Sequence, residues 1–375
     1  MSVLAVLVCA LIQVQSASSG QQARGLDSPR TTLSRSEILQ LQSKSEAGDA
    51  AAQVALGTAY QDGNGVPQDS GMAVKWYRRA AEQGNAEAQN DLGVMYRTAA
   101  GVEKNEQEAV QWYRKAAHQG YAVAMFNLGT AYYNGDGVAS SLFMAYDWFL
   151  MAQANGYPQA TDAVRRTGAE IGAKASEDAL IDVGKMYETG TDLAQNYAEA
   201  AKWYRRSAER KNPEGMVRLA DMLIVQGGQQ NYSEALHLCL SASKESVIGE
   251  YCVGYLYQSG LGVEQNLEEA RKRFGQCAES GLSRGMMALA RMEDKGQGGQ
   301  VDRADAYYWY VLAYVSGVQE ARAAAVDVWT TMSAKEIKRA DDKLRRRQLD
   351  PKKVFQSLQS GSGVEHRTPQ VPSPN

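Results

Sequence analysis

The feature that most constrains this chain is a 36-residue spacing kept by three different kinds of side chain. Trp76, Trp112 and Trp148 keep it, as do Leu56, Leu92 and Leu128, and Gly84, Gly120 and Gly156. A period of this length marks a supersecondary unit whose apolar face is buried only by the next copy. After residues 157–175, which break the period, the register resumes with Gly184 and Trp203 and returns at Gly254, Ala290 and Trp309. Seven units result, beginning near Asp49, Asn85, Tyr121, Ser176, Asn212, Ser246 and Leu282. The fifth is shorter than the others and lacks the Trp.

Each column has a physical meaning. Small residues (Ala52, Ala88, Ala124, Ala179, Gly215, Gly249, Gly285) open a first helix, and a Gly or Ala stands five residues later. Glycine inside a helix costs up to about 1 kcal/mol relative to alanine, so its repetition implies close helix approach. A second column (Asp69, Asn105, Ser141, Asn196, Asn231, Asn266, Asp302) supplies N-caps for a second helix. Glu108, Glu199, Glu234, Glu269 and Asp305 stand where a capping box would return the bond. Alanine follows four residues after each cap, and Trp-Tyr pairs then fill the space that the small residues leave. This column explains the excess of 20 Tyr and 6 Trp beside 5 Phe as core packing. The turns, such as Gly63-Asn64-Gly65-Val66, use glycine for positive φ. No strand precedes them and a third glycine is missing, which argues against a phosphate loop.

Residues 51–85 (AAQVALGTAYQDGNGVPQDSGMAVKWYRRAAEQGN) closely resemble the pattern of the Sel-1-like repeat family, a relative of the tetratricopeptide repeat. The resemblance extends over residues 49–318 and is weakest in the fifth unit. It implies an all-α fold, a right-handed α/α superhelical solenoid of antiparallel helix pairs, with adaptor or scaffold roles. Bacterial members of the family are often exported. A cysteine-rich branch carries a disulfide within each repeat, a pattern absent here.

The expected organisation is a signal peptide (1–18), a flexible leader (19–35), and an N-terminal helix with three repeats (36–156). A helical insertion (157–175) and four repeats (176–318) follow, then capping helices (319–356) and a disordered tail (357–375). The apolar run near the start suits a signal sequence and is too short for a bilayer, with Val14 and Ser16 before a cut at Ala17. No Lys or Arg precedes the run, so a mis-assigned start and a cytoplasmic protein stay open. Ser333 and Glu336 form a second capping box, opening a helix that closes the last apolar surface. Its cations Lys343, Arg345, Arg346 and Arg347 read as a solvated face rather than a site for acidic lipid or nucleic acid.

Catalysis needs a nucleophile, a base and an orienting group, or a metal set. His118, His237 and His366 are scattered, and a net charge of -3 gives no reason to expect nucleic acid. No catalytic, cofactor or metal residues are therefore expected. Cys252 and Cys277 lie on the two helices of one unit and could pair, leaving Cys239 free. The Asn231-Tyr232-Ser233 sequon matters only in a glycosylating host. Columns that vary freely between units should face water. One holds Asp91, Asn127, Asp182 and Arg218, and three residues later come Lys185, Asp221, Tyr255 and Arg291. First helices usually line a solenoid's concave side, so these eight residues are the expected groove for a protein or peptide partner. The expected function is that of an exported, monomeric, non-enzymatic scaffold, secreted or periplasmic and without a membrane span. The alternatives are a periplasmic regulator of a membrane signalling kinase and, from another class, a cell-wall or β-lactam hydrolase.

Overall fold

The computed structural model describes residues 32–360. The expected signal peptide, nearly all of the leader, His366 and most of the expected tail lie outside them. The described residues form nineteen helices and no strand. The chain divides within one helix into two compact units, Met1–Trp203 and Tyr204–Asn375, described separately below.

In the first unit α1 (Arg35–Glu46) is followed by three helix pairs: α2 (Ala50–Asp62) and α3 (Ser70–Glu82), α4 (Ala86–Thr98) and α5 (Glu106–His118), α6 (Ala122–Asn134) and α7 (Leu142–Ala154). The period-breaking segment forms α8 (Ala160–Ile171). Gly172, at φ +87°, separates it from α9 (Ala173–Thr189). Ser176 is therefore inside α9, not at its start, and its hydroxyl donates to the Gly172 carbonyl at 2.9 Å. Helix α10 (Tyr197–Glu209) carries the boundary between the units. The second unit continues with α11 (Pro213–Gln226), α12 (Gln229–Ala242), α13 (Val247–Ser259), α14 (Leu267–Glu279), α15 (Ser283–Lys295) and α16 (Arg303–Val315). Helices α17 (Glu320–Thr331), α18 (Ala334–Arg346) and α19 (Pro351–Ser360) close it.

The glycine columns do what close approach demands, but the aromatic they admit is the residue after the Trp. A Cβ on Gly57 would stand 2.8 Å from the Tyr77 ring, and one on Gly93 would stand 2.7 Å from Tyr113. Phe149 lies on Gly129 and Phe274 on Gly254 in the same way. Full burial of such rings contributes about 2–3 kcal/mol each. Glutamines tie the two helices of a pair together: Gln83 donates to the Gln53 amide oxygen at 2.7 Å, and Gln119 to that of Gln89 at 2.8 Å.

Most expected caps form; Asn105, for example, accepts from the Glu108 amide at 3.0 Å. The reciprocal half of the box does not form at Glu108, Glu269 or Asp305. Cations have taken several of the carboxylates instead: Glu199 pairs with Lys202, Glu234 with Arg205, Glu269 with Arg273, and Asp305 with Lys343. Full capping boxes occur at Ser34 and Ser333. Asn231 is not a cap, because α12 begins earlier, after Gly228; its amide donates to the Gly227 carbonyl at 2.8 Å.

At the C-terminal end, α18 buries Ala340 and Leu344. Its cations are largely used internally: Arg339 pairs with Asp302, Lys343 with Asp305, and Arg345 with Asp342, while Arg347 donates to the Tyr308 hydroxyl at 3.1 Å. Helix α19 buries Ser357 and Leu358, so the expected tail is helical as far as Ser360.

The cysteine expectation is corrected. Cys239 on α12 is bonded to Cys252 on α13, with Cα atoms 5.6 Å apart, and Cys277 is the free thiol among the described residues. Pairing within one unit overlooked that a first helix also packs on the preceding unit's second helix. Cys277 instead contacts the Val247 carbonyl at 3.5 Å, and burial pushes its thiol up to about 12. The bond closes a separation of 13 residues. By the loop-entropy argument, Cys239→Ala should cost about 3 kcal/mol in urea denaturation. An unchanged midpoint in the variant, or a Cys252–Cys277 peptide in a non-reducing digest, would refute the assignment.

Candidate functional site

The eight water-facing candidates divide between the units and do not share one environment. In the first unit, Asp91 on α4 is half-buried, and Asn90 donates to its carboxylate at 3.1 Å. Asn127 on α6 is only 3% exposed, because its amide bridges to the Asn90 oxygen at 2.8 Å. It is therefore removed from the surface: a column can vary between units when neighbouring polar groups satisfy one another. Asp182 on α9 is exposed, and Lys185 lies 3.4 Å from it one helical turn on. Beneath this face lies Asp147 on α7, 5% exposed. Burial, then the charge of Asp182, pushes its carboxyl up to about 8.

The second unit brings the remaining candidates together. Arg218 on α11 pairs with Glu214 at 3.0 Å and lies over the Tyr204 ring. Asp221 and Arg291 are exposed, and Tyr255 on α13 is 40% exposed. At the centre is Tyr251, one turn before Tyr255. Burial raises its hydroxyl pKa; the charges of Arg284 and Arg291 on α15 lower it, and Tyr255 and Asp221 raise it. One face thus collects side chains from three successive first helices, α11, α13 and α15. Ile248, 43% exposed, and Val225, 84% exposed, extend the same helical lines on α13 and α11.

Arg284 and Tyr251 were missed by reading only two columns. The signal was present: both lie at helical i, i+3, i+4 or i+7 spacing from the residues chosen. The chemistry offered is cationic, aromatic and apolar, suited to holding a ligand. Among the described residues no three His, Cys, Asp or Glu side chains are grouped to hold a metal ion. No described helix is long and apolar enough to cross a membrane.

A family model described as the Sel1 repeat matches residues 50–85, 86–121, 122–157, 177–212, 213–246, 248–272 and 283–314, more than half of the chain. Solved structures similar to it include c5321, a protective antigen of uropathogenic Escherichia coli strains displaying an SLR fold. The two are 24% identical with a TM-score of 0.45, covering 90% of this chain and 76% of that one. A Sel1 repeat protein from Oxalobacter formigenes is 27% identical, with a TM-score of 0.31 and coverage of 65% and 93%. A putative sel1 repeat protein from Klebsiella pneumoniae is 19% identical, with a TM-score of 0.26 and coverage of 68% and 98%. No curated protein matches the chain.

Proposed function

Since the chain belongs to the Sel1 repeat family, whose repeats act in protein–protein interaction without catalysis, we propose that it is an exported scaffold holding a partner protein or peptide on the α11–α13–α15 face. The observation that carries this reading is the company kept by Tyr255. Its exposed ring lies one helical turn from Tyr251, on which the exposed Asp221 and Arg291 of the neighbouring first helices also act. Aromatic and Arg side chains dominate binding energy where a partner seals them from water. Export is supported by the apolar run near the start and by the Cys239–Cys252 disulfide, a bond that persists in oxidising compartments.

The test is affinity capture from the native compartment with the wild type and a Tyr255→Ala/Arg291→Ala variant. Both substitutions lie on the surface, so circular dichroism and thermal melting should be unchanged. Recovery of the partner should fall at least about tenfold, the loss of one strong anchor. Equal recovery by a folded variant removes this face as the binding site.

A further inference from the structure

The chemistry of the partner can be taken further, on the premise that the α11–α13–α15 face is the binding surface. Arginines elsewhere in the second unit are largely tied up within it. Arg271 holds Glu293 on the neighbouring helix, Arg273 is bonded to both Glu250 and Glu269, and Arg322 donates to the Leu358 carbonyl at 2.6 Å. Arg284 and Arg291 differ. Both are exposed, and neither has a carboxylate or hydrogen-bond partner among the described residues. Both lie close enough to Tyr251, across the gap between α15 and α13, for their charges to act on its hydroxyl.

Their spacing is informative. Seven residues on one helix are two turns, which places the two Cα atoms about 10 Å apart on one side. A peptide in the extended polyproline II form rises about 3.1 Å per residue with three residues per turn. Side chains three positions apart therefore project to the same side, about 9 Å from each other. Guanidinium groups bind carboxylates in planar, bidentate fashion and stack beside aromatic rings, which lysine does less well. We propose that this face binds an extended acidic segment of the partner, with carboxylates three residues apart on Arg284 and Arg291 and an apolar residue between them against Tyr255 and Ile248.

Nucleic acid is the poorer fit to the same cations. Phosphate backbones are held by many regularly spaced positive charges. Here the face offers two such groups, in a chain of net charge -3.

The experiment uses the full chain and three fluorescein-labelled peptides of one apolar-spaced sequence, carrying Glu, Gln or Lys at every third position, with oligo-dT as a fourth probe. In fluorescence anisotropy at roughly 50 mM salt, the Glu peptide should bind at least about tenfold more tightly than the Gln peptide and weaken as salt rises. Arg284→Gln/Arg291→Gln should abolish that difference, and Arg284→Glu/Arg291→Glu should reverse it in favour of the Lys peptide. Equal binding of Glu and Gln peptides, tighter binding of oligo-dT, or no Glu-peptide binding up to ~1 mM overturns the proposal. The native partner separates this failure from failure of the face itself. If Tyr255→Ala loses the partner while Arg284→Glu/Arg291→Glu keeps it, the face stands and the acidic reading falls. If both keep it, both readings fall.

Discussion

Gly101→Ala should destabilise the protein by about 2–5 kcal/mol, whereas Gly84→Ala should cost only about 1–2. Both glycines adopt positive φ, +69° and +92°, so alanine is strained at either position. The difference is what the methyl group meets. At Gly84 nothing lies within 4 Å. At Gly101 it would overlap the carbonyl group of Ser70, at the start of the preceding pair's second helix, and backbone cannot swing aside as a side chain can. Left-handed strain of about 1–2 kcal/mol then adds to overpacking of about 1–3. The arrangement recurs: Gly137 faces Glu106, Gly262 faces Tyr232, and Gly298 faces Leu267, each at the backbone carbonyl. Urea denaturation of the two variants is the measurement. Equal losses would mean that these turns matter only for their dihedral angles.

That turn also shows where the sequence stopped being informative. Gly-x-Gly was readable as a tight reversal, because positive φ is a local demand. The second demand, room for another unit's backbone, becomes visible only when the pairs stack. It accounts for the fourth repeat, where α8 follows α7 and the period is broken: there Asp192 occupies the column at φ +59°. The repeat, the all-helical class and most N-caps were legible because each rests on short-range rules applied several times over. Cys239–Cys252 was not legible, since a pairing between neighbouring units leaves no periodic trace. Asn127 was misjudged for a related reason. Variation between units was equated with solvent, but its hydrogen bond to Asn90 on α4 satisfies it in the interior. Tyr255, Asp221 and Arg291 were placed together from their columns alone, while Arg284 and Tyr251 needed the neighbouring helices to be seen beside them.

Asp147→Asn should stabilise the protein at neutral pH, an effect opposite in sign to most substitutions of a buried polar residue. The equivalent positions before the Trp are Lys75, Gln111 and Lys202, all exposed. At Asp147 the helices α8 and α9 pack on α7 and remove the carboxyl from water. Burial first, then the charge of Asp182, raises it from an ordinary 3.8 to about 8. A carboxyl with a higher pKa folded than unfolded holds its proton more tightly in the folded state. Stability is therefore fully present below about pH 4 and is lost as pH rises through about 8. At about 1.4 kcal/mol per pKa unit, the loss by pH 7 is on the order of 4 kcal/mol. Asparagine mimics the protonated acid in shape and does not titrate. The variant and wild type should thus unfold at similar urea concentrations near pH 4.5 and diverge towards pH 7.5, with the variant the more stable. Asp182→Asn, which removes only the second cause, should give a smaller shift in the same direction. A wild-type-minus-variant difference that stays flat across this range would show that Asp147 is ionised in the folded protein, with its charge balanced by a neighbour.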